Sequence, residues 1–303
     1  MRKLFAIVFA VAGLAVCAVA ITALSLKRQQ VQSPPLKASE ESKTTAPISG
    51  VAKRTPVVVE LFTSEGCSSC PPADALLSRL DKTQPVKGVE VIALAMHVDY
   101  WNYLGWADPY SSHEFSERQG DYAGAYGKDG VYTPQMIVDG VKEFAGGNSD
   151  AALDAIGKAA TAPKADVQLT RAPSEATPET KSGIEASGIE MDVDEGVRLS
   201  VRIENFPKPA EGDEVSVLMA VTESGLTSDV ARGENSGRRL EHAGVVRRLV
   251  NIGSLTQARG GAFNAEPTVQ VEKNWRRENL RVVVFAQERS SRRVVGAASL
   301  KLF

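Results

Sequence analysis

The sequence predicts an α/β domain over residues 55–162 followed by an antiparallel β-sandwich domain over residues 163–303. Three observations predict it. A near-continuous apolar run, Val57-Val58-Val59-Glu60-Leu61-Phe62, reads as a strand covered on both faces. Ala73, Leu76, Leu77 and Leu80 then follow at the spacing of one helical face, before a second apolar run at 89–98, which completes a strand–helix–strand unit. Beyond residue 197 this alternation stops, and short β-type runs separated by turn residues take over.

Each element follows in chain order. Arg2 and Lys3 precede an apolar run at 4–26, closed by Lys27 and Arg28. As a helix this run would be roughly 34 Å long, enough to cross a bilayer as an anchor. A secretory signal cleaved after Ala18-Val19-Ala20 is the competing reading. Both readings export everything from Lys27 onward. Residues 27–54 are polar, contain Pro34-Pro35 and lack hydrophobic periodicity, as a flexible tether does. After the second strand, residues 99–130 begin with Tyr100, Trp101, Tyr103 and Trp106 and turn helical in pattern from 112 to 126. Val131-Tyr132-Thr133-Pro134 then enters a hairpin, 135–138 and 141–145, turned at Asp139-Gly140. A closing helix is expected over 151–160. In the second half, residues 172–188 read as a loose loop, and strands are expected at 197–204, 214–222, 244–252, 267–271, 280–287 and 294–302.

Composition narrows the function. The 303 residues are 43% hydrophobic and 24% charged, with a net charge of −2. There is no basic stripe interleaved with aromatics, so no nucleic-acid partner is expected. Of three cysteines Cys17 lies in the leader, which leaves Cys67-Ser68-Ser69-Cys70 as the only pair in the folded part. One pair is not a disulfide framework. A bridge closing so short a loop removes only roughly 2 kcal/mol of unfolded-state entropy, against about 3 kcal/mol for a fifteen-residue loop. Placed where a buried strand turns into a helix, the pair is better suited to redox chemistry, with Cys67 attacking and Cys70 resolving. The positive helix end favours a thiolate on Cys67, and lowering a thiol pKa from about 8.5 to about 6.5 raises its ionised fraction at pH 7 from ~3% to ~75%. This reading requires the Cys67 sulfur to be exposed. A metal half-site and a small structural disulfide are the duller alternatives.

Strand, CxxC, helix, strand, an insertion, then Thr-Pro entering a hairpin and a last helix: over residues 56–161 this order resembles the thioredoxin fold. The resemblance implies that Pro134 is a cis-proline lying against the CxxC. It also implies that a buried acid, here Glu60, moves the proton of the resolving Cys70. Gly66 before Cys67, and Pro71-Pro72 after Cys70, depart from the thioredoxin pattern. Residues 59–70, 97–109 and 230–247 further resemble a family of exported bacterial proteins carrying a thioredoxin-like domain of unknown function, which implies a periplasmic location.

The remaining candidates each carry a plain alternative. Glu60, inside an apolar strand, is either the proton acceptor of Cys70 or a structural acid with a buried partner. His97 ends the second strand at the sheet edge of Cys67. It is a proton donor, a thiolate stabiliser or a ligand, or else a hydrogen-bonded organiser of Asp99 and the aromatic segment. Cys67, Cys70 and His97 together would supply three soft ligands for copper or zinc, the runner-up to redox chemistry. The aromatic segment at 100–106, with Trp101, either forms a lip for an extended peptide or packs as a cap on the sheet, the reading large aromatics favour. Trp101 and Thr133, before Pro134, are the predicted substrate contacts. Glu65 is expected in solvent. The loop 232–239, Arg-Gly-Glu-Asn-Ser-Gly-Arg-Arg, is a tied turn or docks near the CxxC. The predicted function is thiol–disulfide exchange with protein thiols or disulfides, needing no cofactor beyond the Cys67–Cys70 disulfide.

Overall fold

The computed structural model of the chain describes residues 54–172, 196–208, 213–255 and 261–303. The expected leader, nearly all of the tether and most of the loop at 172–188 lie outside the described residues. No helix among the described residues is long and apolar enough to cross a membrane.

The first apolar run forms β1 (Thr55–Thr63), followed by α1 (Pro71–Thr83) and β2 (Val89–His97). β1 and β2 pair in parallel, with Thr63 opposite His97 at the shared C-terminal edge. α2 (His113–Ala125) follows, then the hairpin of β3 (Gln135–Val138) and β4 (Lys142–Ala145), and α3 (Ser149–Ala159). β3 runs antiparallel to β1. The turn holds Asp139 at φ 48° and Gly140 at φ 67°, the left-handed pair that Asp-Gly supplies. Because side chains alternate along a strand, Val57, Val59 and Leu61 pack with α1 and α3, while Val58 and Phe62 pack with Phe115 and Tyr122 of α2.

The second half contributes β5 (Asp166–Arg171), β6 (Val197–Glu204), β7 (Val215–Glu223), β8 (Leu226–Asp229), β9 (Arg239–His242), β10 (Val245–Leu255), β11 (Phe263–Ala265), β12 (Thr268–Val269), β13 (Leu280–Glu288) and β14 (Val294–Lys301). Its arrangement differs from two separate domains. β7, β10, β13 and β14 join the first-half strands in one eight-stranded sheet of order β14-β13-β7-β10-β2-β1-β3-β4. Residues 51–303 accordingly form one compact unit, with no division at 162/163. A smaller sheet of β5, β6, β11 and β12 packs its Leu199, Val201 and Ile203 against Val217, Met219, Val282 and Val284 of the large sheet.

The seam between the halves explains the difference. β10 meets β2 in parallel at Val245 and Ala95, and the Ala95 N–H donates to the Gly244 carbonyl at 2.8 Å. Gly244 has φ 63°, and a Cβ there would lie 2.7 Å from the Ala93 carbonyl oxygen. Only glycine fits both the left-handed backbone and the close approach. Gly244→Ala should therefore destabilise the whole unit by about 2–3 kcal/mol in urea denaturation, as a single transition. Two transitions, with only the second weakened, would show that the halves fold apart.

Candidate functional site

The loop between β1 and α1 carries both cysteines as a disulfide, with Cα atoms 5.5 Å apart. It is built from two successive backbone turns, Cys67 N–H to Ser64 O and Cys70 N–H to Cys67 O, each 3.2 Å. Cys70 is the N-cap of α1, and Pro71 and Pro72 fill its first two positions, where N–H groups would lack helical partners. The first free donors, Ala73 and Asp74 N–H, are both spent on the Cys70 carbonyl. Fewer helix donors therefore face Cys67 than the sequence suggested.

The exposure expected of Cys67 is not found. Cys67 is 1% exposed and Cys70 0%, although Ser68 and Ser69 between them are at the surface. The cover is polar and comes from the loop 232–239, between β8 and β9. Asn235, itself fully buried, donates through Nδ2 to the Glu65 and Cys67 carbonyls, both at 2.9 Å. The Ser68 N–H donates to Glu234 Oε2 at 2.9 Å, and Arg238 Nη1 donates to Asn235 Oδ1 at 2.9 Å. The loop thus docks on the CxxC, and the disulfide lies one layer beneath the surface.

On the other side stand the residues expected to contact substrate. The Thr133–Pro134 bond is cis. A Cβ on Gly146 would lie 3.0 Å from the Ala73 Cβ and 3.1 Å from the Pro134 Cβ, so the proline borders the first turn of α1. Trp101 Nε1 donates to Thr133 Oγ1 at 2.8 Å. A Cβ on Gly66 would sit 3.0 Å from the Trp101 Cβ. Glycine precedes Cys67 because Trp101, arriving from the segment after β2, occupies that space.

His97 is buried at the end of β2, with Nδ1 2.7 Å from Asp108 Oδ2. Burial pushes its pKa down, but the Asp108 carboxylate together with Asp74 and Glu65 outweighs burial and the net shift is upward. Asp108 shifts the other way: burial would raise it, and His97 with the Glu65 and Tyr110 N–H groups holds it below the usual carboxylate range. Beside His97, with ring centroids 4.9 Å apart, stands His242. Its Nε2 is 2.9 Å from Glu65 Oε1, while Trp106 Nε1 donates to Glu65 Oε2 at 2.8 Å. Glu65 is 1% exposed, which corrects the expectation of a solvated acid. His97 Nε2 and His242 Nδ1 are buried with no hydrogen-bond partner. Asp74, one turn after Cys70, accepts from Thr63 Oγ1 at 2.8 Å, and burial raises its carboxyl above the ordinary range.

Glu60 is elsewhere. It points to the α2 face of β1, away from α1, and receives Arg118 Nε at 2.6 Å, Arg118 Nη2 at 3.0 Å and the Tyr122 hydroxyl. The relay to Cys70 is therefore not built from Glu60, and the structural alternative describes it. On the cysteine side the buried carboxyls are Glu65 and Asp108, with Asp74 in the first turn of α1. No group of three or more His, Cys, Asp or Glu side chains among the described residues is arranged to hold a metal ion. The proposed third ligand, His97, is held by Asp108 through Nδ1 and keeps Nε2 without a partner.

The sequence singled out Cys67, Cys70, Thr133, Pro134, Trp101 and His97, and all lie on or beside the CxxC loop or the shared edge of β1 and β2. The docking loop 232–239 with its Asn235 was also among the expectations; Asp74, Asp108 and the role of His242 were missed. Asp74 was detectable, since it falls four residues after Cys70 on the same helix face.

Comparison with known proteins supports the arrangement of the whole unit. No curated protein matches the chain. An X-ray crystal structure of a protein from Agrobacterium tumefaciens is similar at 26% identity and TM-score 0.55, covering 82% of this chain and 96% of that one. HBP35 of Porphyromonas gingivalis is similar in fold at 18% identity and TM-score 0.56, covering 84% of this chain and 77% of that one. Residues 58–287, which include the CxxC, the cis-proline and the covering loop, match the family described as "Protein of unknown function (DUF1223)", and the chain belongs to that family.

Proposed function

We propose that this is an exported thiol–disulfide exchange protein, working on a thioredoxin-like scaffold with protein thiols or disulfides as partners. The carrying observation is the Cys67–Cys70 disulfide at the start of α1, with the cis Thr133–Pro134 bond bordering the same helix turn. In the reductive direction a thiolate attacks one sulfur of the pair, the other leaves with the bonding electrons, and a second thiol resolves the mixed disulfide. Asp74, in the first turn of the same helix, offers a carboxyl for the proton of Cys70, and His97 and His242 act electrostatically on Asp74. Export follows from the leader read in the sequence.

Both sulfurs are buried, so exchange requires the loop 232–239 to lift from the CxxC. Burial also favours a second reading, in which the disulfide only fixes the loop that Asn235 covers. Short-loop bridges contribute little as staples, which weighs against it. Cys70→Ser separates the two. In an exchange protein, Cys67 of this variant accumulates mixed disulfides with partner proteins, visible as thiol-sensitive bands on non-reducing gels. If none form, and the wild-type pair stays inert toward dithiothreitol even with Asn235 replaced, the redox reading is wrong.

A further inference from the structure

A cleft of about 500 Å3 along α1 begins at Pro71, the residue after the buried Cys70, and runs to Thr83. Its opposite wall is formed by Arg238 through Glu241, the end of the covering loop and the start of β9. Arg79 and Lys82 on α1 line it opposite Arg238 and Arg239, four cations against the carboxylates Asp74 and Glu241. Arg239 is also paired to Asp229 at 3.2 Å, and Arg79 is bonded to Ser149 Oγ at 3.2 Å. We propose that this cleft binds a small thiol bearing carboxylates, about a tripeptide in size, with its sulfur at the CxxC end. The proposal rests on the redox reading above and names the substrate class of that site.

Arg238 links ligand to access. Its Nη1 donates to Asn235 Oδ1, and Asn235 holds the carbonyls of Glu65 and Cys67. A carboxylate accepts from guanidinium more strongly than an amide oxygen does, so an acidic ligand competes for Arg238 and loosens the residue over Cys67. A neutral thiol has no such handle. The volume is within the range of small-molecule sites, roughly 300–1,000 Å3. In the reaction, the ligand thiolate forms a bond to Cys67 Sγ, the Cys67–Cys70 bond breaks, and Cys70 Sγ takes the electron pair and a proton. A second ligand thiolate attacks the ligand sulfur of the mixed disulfide, and Cys67 leaves as thiolate. Two thiols are oxidised to one disulfide by two electrons, and the protein pair accepts both.

The test uses the full-length oxidised protein and compares glutathione, 2-mercaptoethanol and cysteamine at equal thiolate concentration. Glutathione should reduce the pair about tenfold faster than cysteamine at low ionic strength, with the ratio falling as salt is added. Lys82→Glu with Arg239→Glu, both at exposed positions, should abolish the ratio. S-methylglutathione, which cannot exchange, should give saturable chemical-shift changes in the wild type and none in this variant. Equal rates for the three thiols with no S-methylglutathione binding would overturn the cleft proposal and leave the redox reading standing. Failure of every thiol to reduce the pair, with Asn235 replaced as well, would overturn both.

Discussion

Asn235→Ala should speed reduction of the Cys67–Cys70 disulfide by dithiothreitol by one to two orders of magnitude. The side chain makes three hydrogen bonds, two donated to the Glu65 and Cys67 carbonyls and one accepted from Arg238. At a net contribution of about 1 kcal/mol each, losing two to three of them raises the population of the open loop roughly 30- to 150-fold. The rate of attack follows that population as long as opening and closing are faster than exchange. Asn235→Asp should act in the same direction and further, because a carboxylate cannot donate and would face two carbonyl oxygens. Mass shifts after rapid thiol alkylation give the rates directly. A wild-type rate in both variants would mean that the loop 232–239 does not control access.

Arg118→Met should cost about 3–5 kcal/mol of stability, more than any surface substitution and without altering exchange at the CxxC. The guanidinium is the counter-ion of Glu60 inside the core, and it also bonds the Tyr122 hydroxyl at 3.2 Å and Gln287 Oε1 at 3.0 Å. Burial opposes its charge, but Glu60 with Tyr122 and Asp121 outweighs burial and holds its pKa above the ordinary guanidinium value. Removing it strands a carboxylate among Phe62, Phe285 and Leu94. Combining it with Glu60→Leu should recover much of the loss, since an apolar pair avoids the stranded charge. Urea denaturation of the single and double variants measures this. A change in CxxC reduction potential on Arg118→Met would instead restore Glu60 to the redox site.

What the sequence conveyed about the fold was local. The alternation and helical spacing that place Val57, Leu76 or Ile156 in the core act over a few residues, and the strands and helices they form lie close to their predicted bounds. What was hidden joins residues far apart in the chain. Glu60 meets Arg118, and Glu65 meets His242, 177 positions away, through polar contacts that no periodicity announces. The arm of β8 and β9 escaped notice because Thr227, Ser228 and Glu241 give it a loop-like composition. The shared sheet was hidden for a similar reason, since nothing in the runs at 89–97 and 245–255 says that they are neighbours. At the site, residue types that matched a pattern were legible. Burial was not, because it depends on what another segment lays over them.

The seam at Gly244 has a practical side. The covering arm is spliced between β7 and β10, so it is anchored in the very sheet that carries the cysteines. Work on a shortened chain ending at residue 162 would strip β2 of its neighbour, leave a raw hydrogen-bonding border open to self-association, and unroof the cysteines in the same cut. Reactivity measured on such a fragment would describe a different object from the intact molecule.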